Sequence, residues 1–211
     1  YSNWQEATGA GLRNYGGSLI LSNVAFLSNR AYFGGALAHR DTPLRISNVT
    51  FRNNLALEDG GGIYANNATL EISDGAFVGN QAGNGAAIFA HNTELVANSL
   101  AFRGNTATAA GGAIRLQAAP AARVADVTFV DNHAATGGGM AAEDSVVQVS
   151  QTQWRNNTAD AGGAIYSVRS NVTVASATFT TNTAATGGAL NRQGGRLALT
   201  DVTLEGNQAT Q

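Results

Sequence analysis

One block of sequence recurs along the whole chain, and it limits the fold more than any other feature. In its clearest copy, Phe179-Thr180-Thr181-Asn182-Thr183-Ala184-Ala185-Thr186-Gly187-Gly188-Ala189-Leu190, an aromatic is followed three positions later by Asn and then by a Gly-Gly-Ala-aliphatic quartet. The aromatic stands at Phe26, Phe51, Phe77, Phe102, Phe129, Trp154 and Phe179, with Leu204 in the last copy. The Asn stands at Asn29, Asn54, Asn80, Asn105, Asn132, Asn157, Asn182 and Asn207, at spacings of 25 to 27 residues. The quartet begins at Gly9, Gly34, Gly60, Gly85, Gly111, Gly137, Gly162 and Gly187. Eight copies in register with a period of this size define a solenoid, in which each repeat packs only on its neighbours.

Within one repeat, counted from the second residue of the quartet (Gly163 in the template copy), apolar residues fall at +2 (Ile165), +9 and +11 (Val172, Val174), +14 (Ala177) and +16 (Phe179). Leu44/Ile46, Leu70/Ile72, Val147/Val149 and Leu197/Leu199 repeat the +9/+11 pair. A spacing of two is that of a strand with those side chains on one face. Three short segments of this kind per repeat, punctuated by Gly, Asn, Asp and Ser, predict an all-β, right-handed parallel β-helix of about eight three-strand coils. Strands stacked about 4.8 Å apart give a rod, and the right hand follows from the preference of parallel crossovers. The whole chain, 1–211, reads as a single solenoid without a capping helix or polar end repeat.

The anchors have local physical reasons. An Asn repeated at a corner suits the left-handed region, and its amide can bond to the Asn one coil away, predicting an internal ladder. The Gly pair suits a sharp turn at positive φ where a Cβ would meet the adjacent coils. Coil five alone carries an extra residue, at Ala118-Ala119-Pro120-Ala121-Ala122, which reads as a bulged outer corner.

Composition excludes several function classes. Net charge is −2 and all 12 basic residues are Arg, spread without a run, unlike the footprint of a nucleic-acid binder or an anionic-membrane binder. The absence of Cys removes disulfides, thiolate catalysis and Cys-based zinc sites. No apolar run approaches the roughly 20 residues of a membrane span.

The pairing of Gly-Gly-Ala-(Ile/Leu) with Phe-x-x-Asn resembles the repeats of the chlamydial polymorphic outer membrane proteins, which also occur in surface proteins of other bacteria and some algae. The resemblance covers nearly the whole chain. It implies a β-helical passenger exposed outside the cell and acting in adhesion. The chain departs from that pattern in having neither Cys, in which chlamydial members are often rich, nor Lys.

Catalysis is the competing reading of such a chain. A glycosidase needs two carboxyls about 5 to 9.5 Å apart, which a β-helix supplies from adjacent coils. Asp74, Asp126 and Asp201 share the +13 column but sit two or three coils apart, while Glu58-Asp59 and Glu143-Asp144 read as solvated corners. His39, His91 and His133 fall at different repeat positions and predict scattered surface histidines, with no metal or cofactor. The Gly quartets lead into strands and not helix N-termini, so they are no phosphate loops. Outward columns remain. Tyr64, Phe89 and Tyr166 at +3 form a candidate surface contact for a partner or glycan. Thr50, Thr128, Thr178 and Thr203 at +15 are too interrupted for an ice-binding array. Asn48, Asn67, Asn156 and Asn171 open sequons, candidate glycosylation sites if the chain is secreted by a eukaryote.

The expected protein is therefore a non-enzymatic shaft or adhesive surface, extracellular or at the cell surface. Its expected partners are itself, end to end, or further coils of a longer chain, with a host receptor or glycan on its faces. Neither nucleic acid nor direct membrane insertion is expected. A polysaccharide-binding or polysaccharide-cleaving domain is the alternative.

Overall fold

The computed structural model describes residues 7–211, so the start of the chain, including Tyr1 to Glu6 ahead of the first coil, lies outside the described residues. Every strand pairing is parallel and joins equivalent residues of successive coils, as in Phe51↔Phe77↔Phe102↔Phe129↔Trp154↔Phe179. The chain is a right-handed parallel β-solenoid of about eight coils.

The first face is built from four-residue strands such as Ile63–Asn66, Ile88–His91 and Ile114–Gln117. The second consists of ten-residue strands, among them Thr69–Val78, Glu94–Arg103 and Val146–Arg155. In the last coils the two run together as Ile165–Thr180 and Leu190–Glu205. The sequence separates +9/+11 from +14/+16. The structure joins them in one strand, bent at +13 by a residue in the left-handed region: Asn23, Asn48, Asp74, Ser99, Asp126, Gln151, Ser176 or Asp201. A single such residue re-aims the strand without breaking its pairing, because the flanking residues stay in register with both neighbours.

The third face follows the repeated Asn of each coil and has no counterpart in the apolar pattern. It includes Gln81–Asn84, Thr106–Ala110, Thr158–Ala161 and Thr183–Thr186, with His133 bridging Thr106 and Thr158. Its inward column is Ala in every coil, including the buried Ala31, Ala56, Ala82, Ala107, Ala134 and Ala184. A small, unbranched side chain carries little strand signal, which is why this face is silent in the sequence.

The core is a set of one-residue columns. Leu37, Ile63, Ile88, Ile114 and Met140 fill one, Leu44, Leu70, Leu95, Ala122 and Val147 another, and the aromatics from Phe51 to Phe179 a third, all at most 2% exposed. Neighbouring rings stack with centroids 3.8 to 5.6 Å apart and planes within 15°. That parallel stacking follows from strand spacing, which holds identical side chains one above another. Trp154 is accommodated by a local change, since its indole Nε1 donates to the buried Thr152 hydroxyl at 2.8 Å in a column otherwise apolar. In the first coil Phe26 is 6% exposed while Leu12 and Leu19 are half-buried, and in the last coil Leu199 and Leu204 are 42% and 50% exposed.

The Gly pair divides its labour. The first Gly has positive φ in every coil, between +54° and +69°. The second has ordinary φ but no room: a Cβ on Gly163 would lie 2.1 Å from the Gly188 carbonyl oxygen. In coil four Ala86 stands at that second position, fully buried against its neighbours, and the register of the third face shifts between Ala82 and Asn84.

Candidate functional site

The Asn ladder is present and its logic differs from the expected one. The left-handed residue is the one before each ladder Asn, such as Asn53, Gly79, Gly104, Asp131, Asn156 and Thr181. The kink at that residue turns the Asn side chain inward and takes its backbone N–H out of the strand pairing. Each such N–H then donates to Oδ1 of the next Asn, at 2.9 to 3.1 Å, from Asn29 through Asn182. Nδ2 donates to the same oxygen. From Asn54 onward Nδ2 also donates to the carbonyl of the aromatic in the previous coil, as Asn105 does to Phe77 at 3.0 Å. Asn54, Asn80, Asn105, Asn132, Asn157 and Asn182 are fully buried. An amide is the side chain that can satisfy all of these groups at once, because it offers two donors and an oxygen with two lone pairs.

A second ladder at the opposite corner escaped the sequence reading. The backbone N–H groups of Ala68, Ala119 and Ser145 donate to hydroxyls of Thr93, Ser145 and Ser170 one coil on, at 3.0 to 3.3 Å. Those hydroxyls donate in turn to the carbonyls of His91, Glu143 and Val168 at 2.7 to 2.8 Å. Thr93, Ser145 and Ser170 are at most 3% exposed. The signal existed as Ser or Thr at +7 in alternating company with Ala, too degenerate to stand out.

The +3 column is corrected. Tyr64 and Phe89 point away from the central core, as alternation requires, yet they are only 7% and 6% exposed, and Tyr166 is half-buried. Phe33, just before the Gly turn of coil two, packs on Tyr64 with centroids 5.3 Å apart, and Tyr64 stacks on Phe89 at 5.5 Å. The chain ahead of the Gly turn of coil two thus folds back over the first face, making a re-entrant corner there. Arg40 lies 5.0 Å from the Tyr15 ring and 5.5 Å from the Tyr64 ring.

At both ends of the first face the carboxylates are already held. Arg169 makes a two-pronged contact with Asp144 at 2.8 Å per bond and also reaches Glu143 at 2.8 Å, while Arg115 pairs with Glu143 from the other side. The Arg169 hydrogen bond holds the exposed Asp144 carboxyl below its ordinary range, and the same contacts raise Arg169. Asp59 accepts from Asn84 Nδ2 at 2.9 Å, and its burial raises its pKa, with Glu58 adding to the rise. Tyr32 donates to Glu58 at 3.0 Å, which raises the phenol. Asp74, Asp126 and Asp201 occupy the +13 bends of coils three, five and eight and are not brought together; Asp126 accepts from Ser99 at 2.9 Å.

The histidines do not converge, but one is misplaced by the sequence. His39 is fully buried, not at the surface. Its Nε2 lies 2.7 Å from the Thr42 carbonyl and its Nδ1 3.2 Å from Asn14 Nδ2, contacts that suit the tautomer protonated at Nε2. Histidine serves here as a buried polar spacer beneath Asn14. His91 is half-buried with Nδ1 unpartnered, and His133 is exposed beside Thr158. Among the described residues no group of three or more His, Asp or Glu could hold a metal, and no helix is long and apolar enough to cross a membrane. The sequon residues Asn48, Asn67, Asn156 and Asn171 are all exposed; Nδ2 of Asn67 and Asn156 bonds to Asp41 and Asp131 one coil back, at 3.4 and 3.2 Å.

Parallel coils, inward ladders and left-handed single-residue corners define the class of β-solenoids. Residues 34–209 match the family described as right handed beta helix region, and the chain belongs to that family. No curated protein and no solved structure matches the chain.

Proposed function

We propose that the chain is a non-catalytic structural and adhesive β-helix acting outside the cell, as the shaft of a surface adhesin or a protomer of an end-to-end fibre. The observation that carries this reading is the unbroken ladder from Asn29 to Asn207, backed by a ring stack that spans seven coils. Both make a stiff, low-charge rod whose outer columns are free to vary. The resemblance of the paired Gly-Gly-Ala and Phe-x-x-Asn motifs to surface-protein repeats supports the same placement. Leu190–Glu205 pairs residue for residue with Ile165–Thr180, and end-to-end association of two copies would repeat that same parallel pairing.

The carboxylates that share one corner support the non-catalytic part, since Glu143 and Asp144 are clamped by Arg115 and Arg169. An acid or base in a glycosidase must instead be free to meet its substrate. Incubation with neutral and uronic polysaccharides, read by new reducing ends and by unsaturated products, is expected to give neither. Turnover lost in Glu143→Gln would overturn the reading.

A further inference from the structure

The outward column beside the aromatic stack holds Arg52, Val78, Arg103, Val130 and Arg155 in successive coils, each paired residue to residue with the next. Three arginines therefore recur at every second coil, about 9.6 Å apart for two strand spacings. All three are exposed, and none is among the ion pairs of the described residues, which use Arg45, Arg115 and Arg169. The valines between them are covered despite facing outward: Val78 is half-buried and Val130 only 7% exposed. The aliphatic stems of the flanking arginines are the groups placed to cover them, which leaves the guanidiniums projecting from a fixed base. The strand beneath is paired on both sides, so the comb has a rigid backbone.

Its surroundings suit a sugar polymer. The neighbouring outward column supplies Thr50, Ala76, Ala101, Thr128 and Gln153, small groups and hydroxyl or amide donors on a flat sheet. On the other flank, Gly104 has nothing within 4 Å of where a Cβ would stand, so the ledge is low. Of the acidic groups beside the comb, Asp131 already accepts from Asn156 Nδ2 at 3.2 Å, and Glu205 ends the same column two coils beyond Arg155.

We propose that this arginine comb binds a linear acidic polysaccharide bearing one acid group on every second sugar. An extended β-linked pyranose advances by about one strand spacing and repeats its orientation every second residue, so acid groups on one edge recur at the period of the arginines. Each guanidinium can meet a carboxylate or sulfate through two parallel N–H donors. The backbone phosphates of a nucleic acid recur at a shorter period and do not match. The proposal stands apart from the shaft reading: a shaft with no affinity for glycans fails the test below and stays a shaft.

The test is surface-immobilised full chain titrated with hyaluronan decasaccharide, which carries a carboxylate on alternate sugars, alongside a neutral β-glucan oligomer and single-stranded polynucleotide. Hyaluronan binding that weakens with added salt is expected, with affinity lowered about tenfold by each of Arg52→Gln, Arg103→Gln and Arg155→Gln and abolished by all three together. Arg45→Gln, in another column and paired with Glu71, is expected to leave binding unchanged. Unaltered melting of each variant excludes misfolding as the cause, because the replaced groups are exposed. No hyaluronan binding, equal binding of the neutral glucan or polynucleotide, or an equal loss in Arg45→Gln would overturn the proposal.

Discussion

Phe102 and Arg103 are adjacent in sequence, and they belong to columns that behave in opposite ways. The inward column is Phe, Phe, Phe, Phe, Phe, Trp, Phe along seven coils; the outward one reads Leu27, Arg52, Val78, Arg103, Val130, Arg155, Thr180. Stacking identical strands makes each inward side chain the packing partner of its own equivalents, so one ring size and one orientation suit every coil. An outward residue meets only its column neighbours and solvent, and its identity is left open for contact with something else. The inside of this rod therefore repeats, and any message it carries to a partner is written on its outside.

The largest effects should come from breaking the inside. Phe102→Ala removes a fully buried ring between two others and is expected to cost about 3 to 5 kcal/mol, measured by chemical denaturation. Arg103→Gln, one residue on, removes the charge and keeps an aliphatic stem, and should stay within about 0.5 kcal/mol. Equal losses in the two would erase the distinction between the columns.

Asn105→Ala leaves the Asn80 N–H and Nδ2 and the Phe77 carbonyl without their partner. With each unsatisfied buried group costing about 1 kcal/mol or more, a loss of about 3 kcal/mol is expected. Because coils interact only with neighbours, melting should split into two steps that separate the halves of the rod. Ser145→Ala sharpens the comparison at the opposite corner, where one hydroxyl serves the Ala119 N–H and the Glu143 carbonyl. About 1 to 2 kcal/mol is expected there, less than for Asn105, since fewer groups depend on it.

The smallest effect concerns Asp59, whose carboxyl is raised by burial. A raised folded-state value means that its contribution is present below the unfolded pKa and is lost as pH rises through the folded one. Asp59→Asn, which removes the charge and keeps an oxygen for Asn84, should raise the melting temperature slightly at neutral pH and not at a pH where Asp59 is already protonated. A gain independent of pH would assign it to something other than the charge.

Much of this architecture was readable in the sequence because strand spacing forces column identity. The aromatic, Asn and aliphatic columns, the Asn ladder and the bulge at Ala118 to Ala122 all lie where the repeat puts them. Other features were not readable, each for a physical reason. The third face packs Ala, which has no strand signature. The bend at +13 is made by Asn, Asp, Ser and Gln alike, so no single residue type marks it. The burial of Tyr64 and Phe89 comes from chain folding back ahead of the Gly turn, a contact between parts of the repeat that periodicity treats as independent. His39 was misjudged for the same reason: its burial depends on the Thr42 carbonyl and on Asn14, a side chain with no equivalent in the other coils.

The most direct test of the account is native-state hydrogen exchange of the ladder amides. Backbone N–H groups of Asn54, Asn80, Asn105, Asn132 and Asn157 sit at corners yet donate to a buried side-chain oxygen. They are predicted to exchange as slowly as the core strand amides of Leu95 and Val149, through opening of whole coils. Exchange at the rate of freely exposed turn amides would mean that the corner is held by something other than the Asn ladder, and the central claim would fall with it.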